Sequence, residues 1–290
     1  MRTRIFWGLL ILLVFLLGSP VSGVGQDKAP APAPQAGAAL QAEKQAPPAE
    51  KPALPDPKAV LQQMCDFLKN QPQFSFKAEV TNDQVYQGGK KLQYGQEVEA
   101  FFRRPDKLRL NGDGDLESKQ LIFDGKTLTL YDKNKNHYAS LEVPGDIDTA
   151  LAQAYKDYGL KVGLADLGAA NLWDHAGKNV TNALYVGLHK VRGVPCHHLA
   201  FDRKDIHYQI WIEAGDKPLV RKIVITHKTR PGSPQWTAYF SDWNLSPTLA
   251  DDLFTFVPPA GAEKIKFLPV KKAGAPTPKA APGKKKGGKS

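Results

Sequence analysis

From Phe74 to Phe102 the chain reads FSFKAEVTNDQVYQGGKKLQYGQEVEAFF, and its apolar residues recur with a period of two. Phe74, Phe76, Ala78 and Val80 alternate with polar partners, Gly88-Gly89 marks a turn, and Leu92, Tyr94, Val98, Ala100 and Phe102 alternate again until Arg104-Pro105 breaks the pattern. Successive side chains of an extended chain point to opposite faces. The spacing therefore predicts two long strands sharing one apolar face.

Just upstream the period is helical. Asp56 fits an N-cap, Pro57 the first helical position, and Val60, Leu61, Met64, Cys65 and Leu68 fall on one stripe. Downstream, short strands are expected over 108–110, 120–123, 127–131 and 137–141. The turns between them are Asn111-Gly112-Asp113-Gly114, Asp124-Gly125 and the polar run 132–136. A helical interlude follows, with Asp146 or Asp148 capping a helix that contains Leu151, Ala154, Tyr155 and Tyr158, and a second apolar stretch runs from Val162 to Trp173. The two-residue period then returns over 183–190, 194–202, 207–213, 220–228 and 235–243, and Phe254 and Phe256 close it before Pro258-Pro259. About a dozen strands against three or four helices, without strand–helix alternation, predict a strand-dominated α+β fold with an antiparallel sheet.

The flanks are different in kind. Arg2 and Arg4 precede an uninterrupted apolar run from Ile5 to Leu17, and Gly18, Ser19 and Pro20 end it before the small residues Ser22, Gly23 and Gly25. A run this short matches an export signal and not the roughly 20 residues that span a bilayer, so 1–25 is expected to be a signal peptide, with an uncleaved membrane anchor as the alternative. Residues 26–56 are rich in Ala and Pro and are expected to be a linker that reaches roughly 90 Å if extended as polyproline II. Residues 269–290 carry seven lysines and no acid. They are expected to be a basic tail able to touch anionic lipid.

That tail decides how the net charge of +10 is to be read. The two N-terminal arginines and the tail account for +9 of it and the linker for −1, so the central stretch is nearly neutral. Nucleic acid is excluded as a partner on this ground and by the expected export. A single domain over 57–268, monomeric and periplasmic, is the organisation the sequence supports.

A sheet this long must curl or split, and so few helices fall short of filling its concave side. Several strands also carry apolar residues in both parities, as at Ile210-Trp211-Ile212. Either the sheet is buried on both faces, or it encloses an apolar cleft.

The runs RRPDKLR from Arg103 and FDGKTLTLYD from Phe123 resemble the corresponding segment of the LolA/LolB lipoprotein-carrier superfamily. GLHKVRGVPCHHLAF from Gly187, YQIWIE from Tyr208, SDWNL from Ser241 and the FTFVPPAGA ending at Ala262 resemble an exported family of predicted periplasmic proteins, DUF2092, grouped with LolA-like folds. The resemblance implies a strongly curved antiparallel half-barrel with helices over its concave face, a cavity that shelters acyl chains, and no catalytic machinery. On that basis Phe76, Phe102, Leu130, Ile210, Ile212 and Ile223 are expected to line a cavity for a lipid, an acylated peptide or another hydrophobic molecule. The alternative is an envelope-stress sensing or protein-interaction module that uses the same fold without cargo.

Other chemistry is weakly signalled. Cys196-His197-His198 with His207 is the one His/Cys cluster, but strand alternation turns His197 away from its neighbours, whereas zinc needs convergent ligands. No metal, cofactor or catalytic residue is expected. Cys65 and Cys196 are the only cysteines, and an oxidising compartment would permit them to form a disulfide; two buried free thiols are the alternative.

Overall fold

The computed structural model describes residues 53–269. The expected signal peptide, most of the linker and all but the first residue of the basic tail lie outside them. Helix α1 (Pro57–Lys69) begins as its sequence dictates: the Asp56 carboxylate accepts from the Lys58 and Ala59 amides, both at 3.2 Å. Leu61, Met64, Cys65 and Leu68 are its buried stripe, and burial stabilises each of the larger side chains by about 1.5–3 kcal/mol.

Twelve strands form one open sheet. They are β1 (Gln73–Val85), β2 (Lys91–Arg103), β3 (Lys107–Gly114), β4 (Lys119–Phe123), β5 (Thr127–Asp132), β6 (His137–Glu142), β7 (Asn182–Val191), β8 (Val194–Asp202), β9 (Ile206–Glu213), β10 (Val220–His227), β11 (Gln235–Asn244) and β12 (Glu263–Lys264). Their order is β12-β6-β5-β4-β3-β2-β1-β11-β10-β9-β8-β7, antiparallel except where the two-residue β12 runs parallel to β6. The fold is therefore a strand-dominated α+β architecture not closed into a barrel. Between β6 and β7 the chain leaves the sheet to form α2 (Ile147–Tyr158), a 3-10 turn (Ala165–Gly168) and α3 (Leu172–Ala176). Asp146 is the residue that caps α2, accepting from the Thr149 amide at 2.8 Å, and Gly159 ends it in the left-handed region at φ 67°.

Together with α1 these segments form a lid on one face of the sheet. Helix α1 touches β7, β8 and β9, while the 3-10 turn touches β3 on the far side of the hairpin. One continuous core gathers residues of that face from β1 to β5 and β8 to β11 with those of the lid, so the face wraps around the lid. Its centre is aromatic. Phe74 stacks on Phe102 at 4.7 Å between ring centroids, and Trp243 lies 4.6 Å from Phe76. Trp243 reaches this face because β11 carries an irregularity where Asp242 sits at φ 51°, which re-aims the next side chain.

The opposite face is covered on one half only. Residues 246–258 cross it: Arg103 donates to the Leu249 carbonyl and Arg109 to that of Leu253, each at 2.9 Å, and Phe254 is fully buried. This cover explains why Ile122, of outward parity, is also buried.

Three sequence expectations need correction. The run Asn111–Gly114 is not a turn but the end of β3. A Cβ on Gly114 would lie 2.6 Å from the Gly95 carbonyl oxygen, so these glycines permit close strand approach, and the turn falls just beyond them. The apolar stretch from Val162 to Trp173 is not one helix but a 3-10 turn followed by the start of α3. Phe254 and Phe256 do not extend the sheet: Phe254 ends a 3-10 turn, and Phe256 packs on Tyr131 and Tyr138.

The lid meets the sheet most closely at Gly168, where any Cβ would fall onto the ring of buried Phe102. Gly168→Ala is expected to lower the unfolding free energy by about 1–3 kcal/mol. Gly163→Ala, with open space around its site, should change it by less than about 0.5 kcal/mol. Urea denaturation of both variants checks the contrast.

Candidate functional site

The lid does not fill the concave face. On the β9–β11 side a cavity of about 430 Å³ lies between sheet and lid. Its sheet wall is Tyr208 and Ile210 of β9, Ile223 and Ile225 of β10 and Trp236 of β11; its lid wall includes Met64, Leu167 and Leu172. These sheet residues are brought together by register, because Ile223 faces Ile210, Ile225 faces Tyr208, and Trp236 pairs with Ile225. A second hollow of about 290 Å³ lies toward β2–β5, lined by Val98, Leu110, Leu121 and Leu130. Lys161, Gly163, Leu164 and Trp236 border both, so the strap between α2 and the 3-10 turn crosses the concave face between the two hollows.

Polar groups hold the walls in place. Arg104, at the end of the β hairpin, donates to the Gly168 carbonyl of the lid and also to the Gln71 carbonyl beside α1 at 3.2 Å. The Tyr208 hydroxyl donates to the Ala176 carbonyl at 2.6 Å, tying β9 to α3, and burial pushes its pKa up. Arg203 donates to the carbonyls of His175, Ala176 and Lys178 at the end of α3. Burial also pushes the Asp166 carboxyl above its ordinary range, against the pull of His175, whose Nδ1 is 3.8 Å from it.

Of the six residues expected to line a cavity, Ile210 and Ile223 border the larger hollow and Leu130 the smaller. Phe76, Phe102 and Ile212 point to the same face but lie in the packed centre with at most 2% of their surface exposed, and they border neither hollow. Trp236 and the lid residues lie outside the expected set. Trp236 shares the parity of Ala238 and Phe240, which could have placed it on the concave face, whereas no spacing rule locates the lid residues.

The histidine and cysteine cluster is dispersed. The Tyr185 hydroxyl is 2.9 Å from His197 Nδ1 on the concave side, while on the other side His198 lies 3.0 Å from both His189 and Gln209 and stacks on Trp211 at 4.0 Å. His207 is paired with Asp202. Among the described residues no group of three or more His, Cys, Asp or Glu side chains is placed to hold a metal. The disulfide is not formed: Cys65 and Cys196 are both buried free thiols, and only Cys65 belongs to the concave core. By strand alternation Cys196 shares the outward side of His198, so the sheet lies between the two sulfurs.

A family model described as a predicted periplasmic protein (DUF2092) matches residues 57–268. The chain belongs to that family. No curated protein matches it. Among solved structures, an uncharacterised conserved protein from Thermus thermophilus is similar at 9% identity and a TM-score of 0.42, over 71% of this chain and 98% of that one. A LolA superfamily protein from Nitrosomonas europaea is similar at 10% identity and a TM-score of 0.34, over 70% and 99%. The Mycobacterium tuberculosis lipoprotein LppX is similar at 15% identity and a TM-score of 0.36, over 67% and 97%. At such distances the function of this DUF2092 chain has to be argued from its own geometry.

Burial pushes the Cys65 thiol up to about 12 and raises that of Cys196 as well, which leaves little thiolate in either case. Ellman's reagent should therefore react slowly with both in the native protein and count two thiols once denaturant is added. A denatured, unreduced sample with no reactive thiol would show a bridge instead.

Proposed function

We propose that this protein is a non-enzymatic binding protein or carrier of the periplasm, exported by its N-terminal segment, that holds a hydrophobic molecule between its curved sheet and its lid. The observation that carries this reading is the hollow of about 430 Å³ bounded by Ile210, Ile223, Ile225, Trp236 and the lid. Its size falls in the range of roughly 300–1,000 Å³ common to small-molecule sites, and its lining has the apolar character of such sites. An acyl chain gains about 0.8 kcal/mol for each methylene taken out of water. A dry cavity is therefore enough to lift such a molecule across an aqueous compartment, and no reacting group is required.

A protein-interaction role would use a different apolar feature. Strand β7 is an edge of the sheet and exposes Leu184, Val186 and Leu188, and an unpaired edge offers its backbone to an incoming strand. The assay below separates the two readings, because variants inside the hollow leave that edge intact.

Nile red titrated into the full-length protein should bind saturably with blue-shifted emission. Ile223→Trp from the sheet side, or Ala176→Leu from the lid side, should fill the hollow and weaken that binding about tenfold, a loss of roughly 1.4 kcal/mol. Thermal melts show which variant keeps the fold. Unsaturable binding, or binding unchanged in a folded variant, counts against the cavity as the site.

A further inference from the structure

The larger hollow is apolar inside, but its rim carries basic side chains from both walls. Lys161 comes from the strap of the lid, and His227 and Arg230 come from the end of β10 and the turn after it. They converge: both Arg230 and Lys161 act on His227, which burial and these two positive neighbours hold below the ordinary imidazole range. Among the described residues neither Lys161 nor Arg230 has a carboxylate within ion-pair distance. The one carboxylate bordering the hollow, Asp166, is turned to His175 and disfavoured as an anion by its burial; it feels Lys161 beyond ion-pair distance, and the Lys161 ammonium itself lies over the Tyr155 ring at 5.0 Å. Arg203, a third cation on the same lining, spends its terminal nitrogen on α3 carbonyls, yet its Nε is buried and has no acceptor among the described residues.

Lys161 and Arg230 are exposed, so solvent screens their mutual repulsion without removing it, and a buried N–H without an acceptor costs about 1–3 kcal/mol. Both costs fall when an anion with several oxygens occupies the rim, because its bonds to guanidinium and ammonium groups are charge-assisted. We propose that the cargo is an amphiphile with an anionic head group, its chain in the hollow between sheet and lid and its head at the rim between Lys161 of the lid and Arg230 of the sheet. This rests on the cavity reading above and narrows it to carboxylate- or phosphate-headed molecules. The same contact would bridge strap and sheet across the entrance.

Hexadecanoate and hexadecanol share a chain and differ in charge, and each can be titrated against Nile red in the full-length protein at neutral pH. The acid should displace the dye at about tenfold lower concentration than the alcohol, or better, as expected for one or two charge-assisted contacts. The ratio should approach one in the double variant Lys161→Gln, Arg230→Gln. Should that variant not fold, high salt applied to the wild type must shrink the ratio in the same way. Equal displacement by acid and alcohol, or a ratio indifferent to both variant and salt, overturns the anionic head while leaving the cavity reading standing. Displacement by neither overturns both.

Discussion

The lid is fixed to the sheet by contacts that permit no slack. Gly168 presses its bare backbone onto the ring of Phe102, and the Arg104 guanidinium, over the face of Phe74, bonds the Gly168 carbonyl and a carbonyl beside α1. A buried guanidinium is stable only when its donors are used. These carbonyls use them, and in doing so set the height of α1 and the 3-10 turn above the aromatic centre. Farther along, Tyr208 and Arg203 hold α3 at its own carbonyl end. Between those anchor points the short lid segments cannot descend into the curve of twelve strands, and the hollows are the space that remains.

The same constraint separates the packed part of the concave face from the hollow part. Where β1 and β2 meet the lid, large rings fill the gap: Phe74, Phe76 and Phe102 are all essentially without exposed surface. Toward β9–β11 the facing residues are Ile210, Ile223 and Ile225, and toward β5 it is Leu130; opposite them passes the strap that contains Gly163. The strap packs Leu160, Val162 and Leu164 against the core, yet Gly163 adds no side chain and the two hollows remain on either side of it. The apolar walls are thus left facing space that dispersion contacts do not fill, which is the condition under which an apolar guest gains most.

The strand pattern was legible because burial of one face enforces a strict two-residue period, and the hairpin from Phe74 to Phe102 is in the register its alternation requires. Helix α1 was legible from Asp56 and Pro57. Gly112 and Gly114 were misread because a glycine marks either a turn or a close backbone approach, and the approach of Gly95 and Gln96 that decides between them belongs to another strand. Burial of both parities at Ile122 had a cause more than a hundred residues away, in Phe254. The candidate site was half legible: alternation places Phe76, Phe102 and Ile212 on the same face as Ile210 and Ile223, but whether a side chain fills the core or borders a cavity depends on what lies opposite. That is decided by the seating of Gly168 and Arg104, which leaves no periodic trace.

Native mass spectrometry of the protein purified from a membrane-containing extract tests most directly whether that space is a binding site. The account predicts a fraction of molecules carrying one discrete apolar adduct, removed by delipidation and restored by incubation with the extracted lipid. A single unliganded mass before and after that incubation would contradict it.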